Sequence, residues 1–138
     1  MIYLSTPYSH PLEAVRKERW LEAVALTQAI MSDGTLVFSP IVYSCALVEM
    51  GAPDTWEFWR EIDKGFLTKS SMVLFAGMDG LAQSVGCREE WCWARKLMIP
   101  INYLAYGDDA IARERSNRAI QAFRKKVGDD PDFEATEN

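Results

Sequence analysis

Short runs of β-prone residues alternate with longer segments of helical periodicity along this chain, and this alternation is the feature that most restricts its fold. The strand-like runs lie at residues 2–5, 36–39, 72–75 and 99–104. Between them, apolar residues recur at the spacing of one helix face. Strands that alternate with helices build βαβ units with right-handed crossovers. The sequence therefore predicts an α/β fold, a doubly wound and mostly parallel sheet of four to five strands with helices on both faces.

The limits of the helices are indicated by capping and breaking residues. The first helix is predicted over residues 12–32, with Ser9 or His10 as its cap and Pro11 in its first turn. A weaker helix is predicted over residues 43–50. Three further helices are predicted. One begins at residue 54, one covers residues 84–96 with Ser84 as its cap, and one covers residues 108–127.

The length of 138 residues is typical of one domain and is too short for two. The sequence contains no internal repeat and no internal linker, so one domain is predicted over residues 1–127. Residues 128–138 are acidic and lack hydrophobic periodicity. They are predicted to form a solvated, flexible tail.

The charge and hydropathy of the chain argue against several partners. The formal net charge is −5, whereas a nucleic-acid-binding surface has a basic excess. No apolar run approaches ~18 residues and the first five residues carry no basic side chain, so neither a transmembrane span nor a signal peptide is predicted. Three cysteines without a pairing pattern suit a reducing compartment. We therefore expect a soluble, cytoplasmic protein that binds neither nucleic acid nor membranes.

The inventory of reactive side chains favours carboxylates as the reacting groups. The chain has 20 Asp and Glu residues but one histidine, and metal ligation could draw only on His10, Cys45, Cys87 and Cys92, none of them at zinc-motif spacing. No Gly-x-Gly-x-x-Gly follows the first strand, and no Walker-type Gly-Lys-Ser/Thr occurs. We expect neither a metal nor a cofactor.

Doubly wound sheets, including flavodoxin-like and Rossmann-like folds, bind ligands at the carboxyl ends of their strands beside a topological switch point. The segments predicted to lie there are residues 5–10, 39–43 and 76–86. The last leads into Gly86, Glu90 and Ala94, which are four residues apart and share one helical face. Small residues around a glutamate leave room for a ligand to reach its carboxylate. The same pattern also suits close helix–sheet packing with a solvated glutamate.

Four features in order along residues 1–100 resemble the nucleoside 2-deoxyribosyltransferase superfamily, which includes N-glycosidases of nucleoside monophosphates. They are an Ile-Tyr-Leu opening strand ending in a Ser/Pro-type loop, Ser39-Pro40 after the second strand, Asp63 before the third, and the signature Ser-x-Gly-x-x-x-Glu-x-x-x-Ala at residues 84–94. Within that superfamily the chain looks most similar to a small phage and bacterial branch.

The resemblance implies that Glu90 is a carboxylate nucleophile. Breaking a sugar–base bond develops positive charge at the anomeric carbon, which a carboxylate can stabilise or capture as in retaining glycosidases. The resemblance also implies that Asp63 donates a proton to the departing base and that Tyr3 positions the nucleophile. From the residues alone, a helix-surface aspartate and a core tyrosine are the alternatives.

The resemblance implies a (deoxy)nucleoside or nucleoside 5′-monophosphate as the small-molecule substrate. The residues expected to bind it are Ser84, Gly86, Ser5, Pro7, Tyr8, Ser39, Ile41, Tyr43 and Arg16. A serine at a helix start suits a 5′-phosphate. The first loop lacks the glycines and the arginine of the monophosphate hydrolases, and Arg16 could reach back to replace the latter.

Two other functions stay open at this point. The altered first loop, and Trp91 in place of a small or aliphatic residue, favour a nucleotide or sugar-phosphate sensor that binds without turnover. The other is a doubly wound domain with unrelated chemistry, such as flavin or phosphate binding. The resemblance further implies a homodimer or higher homo-oligomer, and surplus aromatic residues can mark an interface. Trp56 and Trp59 could stack on a base, but aromatic residues at helical spacing are more often core residues.

Overall fold

The computed structural model describes residues 1–129 and contains strands and helices in strict alternation except for one helix pair. The elements in chain order are β1 (Ile2–Ser5), α1 (Glu13–Met31), β2 (Val37–Phe38), α2 (Pro40–Glu49), α3 (Trp56–Thr68), β3 (Met72–Ala76), α4 (Val85–Lys96), β4 (Ile101–Leu104) and α5 (Ala110–Val127). A single 3-10 turn, Leu81–Gln83, precedes α4.

The four strands of residues 1–129 form one parallel sheet in the order β2-β1-β3-β4. The chain moves outward from β1 to β2 and then crosses to β3 and β4 on the other side, so this is a doubly wound sheet and the fold prediction is confirmed. The strand order reverses between β1 and β3. The loops that follow these two strands therefore flank the switch point, where such folds bind ligands.

Alternation along the strands divides the core into two layers. Tyr3, Val73 and Phe75 point to one face and pack with buried residues of α3, α4 and α5. Leu4 and Leu74 point to the opposite face, against α1. The sheet is thus covered on both sides, which explains why its central strands are almost continuously apolar.

The start of α1 differs from the prediction. The helix begins at Glu13, and its cap residue Leu12 is extended and makes no side-chain cap bond. The backbone N–H of Leu12 instead donates to His10 Nδ1, at 3.0 Å. Pro11 therefore lies outside the helix, in a loop whose own hydrogen bonds hold it extended. The prediction of a Ser9 or His10 cap with Pro11 in the first turn is wrong.

Helix α2 begins three residues earlier than predicted. Ser39 caps it by accepting a hydrogen bond from the Val42 N–H at 3.3 Å, and Pro40 occupies the first helical position. Proline is well suited to that position because it lacks the N–H that would be unsatisfied there. Strand β2 is correspondingly reduced to two residues.

The packed structure continues two residues beyond the end of α5 and the predicted domain boundary at residue 127. Gly128 adopts the left-handed conformation that terminates many helices. The Tyr103 hydroxyl donates to Asp129, and Arg124 Nε donates to the Asp129 backbone oxygen at 2.7 Å. Gly128 and Asp129 thus pack with the domain, and the rest of the predicted tail lies outside the described residues. No helix within residues 1–129 has the length and apolar character required to cross a membrane.

Two glycines provide opposite tests of the packing. A Cβ on Gly77, just after β3, would lie 2.5 Å from the Ser116 backbone oxygen of α5, whereas a Cβ on Gly65 in α3 would meet nothing within 4 Å. We expect Gly77→Ala to destabilise the protein by about 1–3 kcal/mol through overpacking. Gly65→Ala should stabilise it by ~0.5–1 kcal/mol because alanine favours the helix. Urea unfolding midpoints would check both, and shifts in the same direction would contradict this packing.

Candidate functional site

A cavity of about 1230 Å³ opens at the carboxyl ends of β1 and β3, at the switch point of the sheet. Its walls come from the loop between β1 and α1, the first turns of α1, helices α2 and α3, and the segment from Gly80 to Glu90. The cavity therefore gathers residues that are distant in the sequence. It is large enough for a ligand of nucleotide size.

Glu90 lies on the cavity wall, on the buried face of α4. Its side chain is 5% exposed. Ser5 Oγ, at the end of β1, donates to Glu90 Oε1 at 3.4 Å, while Oε2 has no hydrogen-bond partner within residues 1–129. Gly86, one turn earlier, leaves space beside the carboxylate, because a Cβ there would be 4.0 Å from Oε1. The solvated glutamate considered from spacing is therefore excluded, and the small residue keeps the carboxylate accessible to a ligand.

Asp63 reaches the same cavity from α3. It shares the buried face of that helix with Trp59 and Leu67, one turn before and one turn after it. Asp63 is 6% exposed, and its Oδ1 has no hydrogen-bond partner in the described part of the chain. An aspartate on the helix surface is therefore excluded. A buried acid without a partner is costly for stability and commonly marks a functional site.

Burial strongly perturbs both acids. Loss of hydration raises the pKa of Asp63 to about 7. It is also the main cause that raises the pKa of Glu90 to about 8. The charge of Asp63 contributes to this rise, while the neighbouring Tyr3 hydroxyl and the hydrogen bond from Ser5 oppose it. Two buried carboxyls that influence each other titrate as a pair. Near neutral pH the pair of Glu90 and Asp63 is therefore partly protonated, and it can present one carboxylate beside one carboxylic acid.

Tyr3 lies beneath this pair in the centre of the sheet and is fully buried. Burial, followed by the neighbouring charges of Glu90 and Asp63, raises the pKa of its hydroxyl well above the ordinary value. The hydroxyl adjoins Glu90, but no atom within residues 1–129 meets it at ordinary hydrogen-bond geometry. Tyr3 is thus a core residue whose protonated hydroxyl lies beside Glu90 and can serve as a hydrogen-bond donor to it.

Five of the nine predicted ligand-binding residues line the cavity with Glu90 and Asp63. They are Ser84, Gly86, Tyr8, Ile41 and Arg16. Ser5 lies behind the wall and contacts the cavity only through its hydrogen bond to Glu90. Ser84 also caps α4, since its Oγ accepts from the Cys87 N–H at 3.1 Å.

The other three predicted ligand-binding residues do not line the cavity. Pro7 is fully buried, and Ser39 is buried with its hydroxyl used as the cap of α2. Tyr43 is 44% exposed and its ring packs against Phe38, Trp59 and Phe66. Their position after a strand brought them near the site without turning their side chains into it.

Several cavity residues lie outside the predicted set, notably Thr6, Arg19, Trp56 and Trp59. Trp59 is buried as predicted for a core residue, yet it also reaches the cavity. Trp56 is partly exposed and stacks on Trp93 with ring centroids 6.3 Å apart. A signal for Arg19 exists in the sequence, because it follows Arg16 by three residues and so shares its helix face.

Cys87 also lines the cavity, but its thiol is poorly suited to act as a nucleophile. Burial and the charge of Glu90 raise its pKa to about 12, so the thiol stays protonated at neutral pH. Within residues 1–129, no three His, Cys, Asp or Glu side chains are grouped so that they could hold a metal ion. Three carboxyls line the cavity, those of Asp54, Asp63 and Glu90. Asp54 is exposed, so the reactive groups that burial perturbs are the carboxyls of Asp63 and Glu90.

Comparison with known families gives one match. The family described as "Domain of unknown function (DUF1937)" matches residues 1–105, which include β1 to β4 and every residue of the carboxyl pair and its surroundings named above. No curated protein matches the chain.

The buried carboxyls predict an unusual pH dependence of stability. An acid whose folded pKa exceeds its unfolded value costs stability as pH rises through that interval, here from about 4.5 to about 8 for Glu90. Glu90→Gln removes this cost. Its melting temperature should match that of the wild type near pH 4.5 and exceed it by about 5 °C at pH 8.5. Melting curves across this range test the expectation. Glu89→Gln, which alters a surface ion pair with Arg60, should show no such gain, and equal behaviour of the two variants would contradict the assignment.

Proposed function

The chain belongs to the DUF1937 family, and we propose that it is an enzyme that cleaves, or transfers at, the N-glycosidic bond of a (deoxy)nucleoside or nucleoside 5′-monophosphate. One observation carries the proposal. Glu90 and Asp63, two buried carboxyls from different helices, face one cavity of sufficient size and share their titration. Enzymes that break glycosidic bonds commonly use a pair of carboxyls, one of which has a raised pKa and donates a proton.

The motifs that resemble the nucleoside 2-deoxyribosyltransferase superfamily support the same reaction. Polar positions from three of the four matching segments meet at one site: Asp63, Ser84 and Glu90 line the cavity and Tyr3 adjoins Glu90. Ser39, from the fourth segment, caps α2 instead. A chance resemblance gives no reason for these residues to meet. The assignment to that superfamily remains our proposal.

The reaction follows from the chemistry of the two acids. Ionised Glu90 attacks the anomeric carbon of the sugar through one carboxylate oxygen, and the carbon–nitrogen bond to the base breaks. The electron pair of that bond goes to the base nitrogen, which takes the proton of Asp63. Water then attacks the anomeric carbon of the glycosyl ester, its proton passes to ionised Asp63, and the bond between that carbon and Glu90 breaks to release the sugar. Attack by a second base in place of water completes a transfer.

Hydrogen-bond donors favour Glu90 over Asp63 as the nucleophile, although burial gives Glu90 the higher pKa, about 8 against about 7. Ser5 donates to Glu90 and Tyr3 adjoins it, and both lower its pKa. Asp63 Oδ1 has no donor within residues 1–129, which favours its neutral, proton-donating form. Positive charge that develops on the sugar would further stabilise ionised Glu90.

The aromatic wall of the cavity offers a surface for the base. A Cβ on Gly86 would lie 3.9 Å from the Trp56 ring, so this ring is close to the space above Glu90. Trp93 stacks against Trp56 and Arg60 lies over Trp93, which holds the tryptophan pair in place. Aromatic rings stack on bases of any identity, so this wall does not by itself select one base.

A non-catalytic nucleotide or sugar-phosphate sensor is the second candidate. The observation that favours it is the pKa of Glu90, which at about 8 leaves the free carboxyl largely protonated at neutral pH. A protonated carboxyl is a hydrogen-bond donor and a poor nucleophile. Binding without release of a base would support this function.

A cytoplasmic homodimer remains part of the proposal. All three cysteines are free, as suits a reducing compartment. Helix α2 is strongly apolar, yet Tyr43, Leu47 and its C-terminal cap residue Met50 are exposed. These three residues are spaced at i, i+4 and i+7 and share one helix face. Phe58 of α3 is also exposed. Contiguous apolar side chains of this kind mark interfaces. Light scattering at micromolar concentration tests the dimer, and a monomer would contradict it.

The reaction is tested by incubating the protein with a panel of nucleosides and 5′-monophosphates, including modified pyrimidines, and detecting free base by chromatography. We expect Glu90→Gln to lower the rate by about 10³-fold or more, because the nucleophile is lost. Glu89→Gln is the matched control, since it neutralises the adjacent acid of the same helix outside the cavity. If wild type and Glu90→Gln act alike on every reacting substrate, Glu90 is not the nucleophile.

The carboxyl pair also predicts a bell-shaped pH profile of kcat/KM. Activity should fall in acid because Glu90 is then protonated, and in alkali because Asp63 has lost the proton it donates. Because the pKa of Glu90, about 8, exceeds that of Asp63, about 7, the form with Glu90 ionised and Asp63 protonated is the minor one of the two singly protonated forms. Its population is greatest between the two values, so the optimum is expected between neutrality and mild alkali. Asp63→Asn should remove the alkaline fall and lower the maximum by about 10²-fold. An unchanged profile in Asp63→Asn would contradict the role of Asp63.

A further inference from the structure

We infer that Arg19 and Arg16, together with Thr6 and the first turn of α4, bind the phosphate of the substrate, so that the protein selects nucleoside 5′-monophosphates over free nucleosides. The inference rests on the proposed function for the identity of the attached sugar and base. The anion site itself rests on the geometry described next.

Arg19 connects the two loops that flank the switch point. Its Nη1 donates to the Ser9 backbone oxygen, in the loop after β1, at 2.7 Å. Its guanidinium also lies on Gly80, in the loop after β3, where a Cβ would be 2.8 Å from Arg19 Cζ. Gly80 has a φ of +93°, a conformation that glycine adopts without strain. The backbone thus makes room for this guanidinium at the cavity wall.

Arg16 lies one turn earlier on α1 and is held in the same way. Its Nη1 donates to the backbone oxygens of His10 at 2.5 Å and Pro11 at 3.2 Å. Within residues 1–129 neither arginine forms an ion pair. Burial raises the pKa of Glu22 and the charge of Arg19 acts to lower it, but the Arg19 and Glu22 side chains are beyond ion-pair distance. Two half-buried guanidinium groups therefore line the cavity with neutral carbonyl partners only. Such groups bind phosphate readily, since each retains further N–H donors.

The opposite wall supplies donors of a second kind. Helix α4 has 12 residues and begins at Val85, and Ser84, Val85 and Gly86 all line the cavity. The first N–H groups of a helix favour anions. Independently, Thr6 lines the cavity and is 4% exposed, and its hydroxyl has no hydrogen-bond partner in the described chain. A buried hydroxyl without a partner requires a ligand group or a water to satisfy it.

The separation of Ser84, at the start of α4, from Glu90 fits a sugar phosphate. Ser84 Oγ and Glu90 Oε1 lie 3.9 and 4.0 Å from one point, the position that a Cβ of Gly86 would occupy. The two oxygens are therefore less than about 8 Å apart, with open space between them. A pentose whose anomeric carbon faces Glu90 can place its 5′ substituent at the start of α4 across that span.

The charge balance of the cavity explains why a neutral nucleoside is the poorer ligand. Asp54, Asp63 and Glu90 also line the cavity, and without the arginines these acids would repel a phosphate. A nucleoside leaves both guanidinium groups and the Thr6 hydroxyl without an anionic partner, whereas a monophosphate supplies one. Sites that leave a buried polar group unpaired discriminate strongly against the incomplete ligand.

Calorimetric titration of the Glu90→Gln protein tests the site without requiring turnover. The ligands are dAMP, dGMP, dCMP and dTMP, each matched nucleoside, and inorganic phosphate as a competitor. At least one monophosphate should bind about 10-fold or more tightly than its nucleoside. Adding Arg19→Gln should reduce that ratio to near one without weakening the nucleoside. Lys17→Gln, an exposed charge change on the same helix, should leave the ratio unchanged.

Arg16→Gln provides a second variant, because it leaves the contacts of Arg19 with both loops intact. It should lower the ratio as well, and inorganic phosphate should compete with the monophosphate in the protein that carries both arginines. Equal affinity for every monophosphate and its nucleoside, or the same ratio in Arg19→Gln and Lys17→Gln, would overturn the site. Absence of any binding by monophosphates or phosphate would also overturn it.

The outcomes separate this inference from the proposed reaction. Phosphate-dependent binding by Glu90→Gln, with no base released by the wild type from any ligand, supports the anion site and contradicts the reaction. Base release from nucleosides and monophosphates at equal kcat/KM supports the reaction and contradicts the anion site. Monophosphate-selective base release that Arg19→Gln abolishes supports both.

Discussion

The parallel pairing of β1 with β3 is the constraint on which the rest of this structure depends. It joins residues about 70 positions apart in register, Ile2 with Met72 and Ser5 with Phe75. Because the connections leave these two strands in opposite directions, no helix of residues 1–129 covers the space between their carboxyl ends. The cavity forms there, and the loop after each strand contributes one wall. Arg19 then connects the two loops across it.

The buried carboxyls of Glu90 and Asp63 lower the stability of the fold in exchange for an altered proton affinity that a reaction can use. Glu90 and Asp63 occupy positions on apolar helix faces where a hydrophobic residue would stabilise the fold, and burial raises the pKa of each toward or above neutrality. A buried acid of this kind persists where its altered proton affinity is used. The neighbouring hydroxyls of Ser5 and Tyr3 reduce the cost of ionising Glu90 without removing it.

Much of the architecture was predictable because it depends on local patterns. Strand alternation and helical spacing are short-range properties, so β1 was predicted to the residue and α4 to within one residue. Ser84 as the cap of α4 followed from its side-chain chemistry. The predicted cap of α1 failed because His10 satisfies the Leu12 N–H from outside the helix. Arg19 was not predicted as a ligand-binding residue although it shares a helix face with Arg16, because helical spacing alone does not distinguish a cavity wall from solvent. Thr6 was not predicted because a threonine after a strand has no local feature that marks it as a ligand-binding residue.

The sequence by itself determined the fold class, the absence of a histidine cluster, and the helical face that carries Gly86, Glu90 and Ala94, because each depends on composition or on spacing within one element. Only the tertiary structure decided which faces meet. It brought Asp63 of α3 to Glu90 of α4, directed Arg16 and Arg19 into the same cavity, and kept Pro7, Ser39 and Tyr43 out of it. The physical reason is that side-chain direction relative to a distant element is set by sheet register and helix packing, which are long-range contacts that no local pattern encodes.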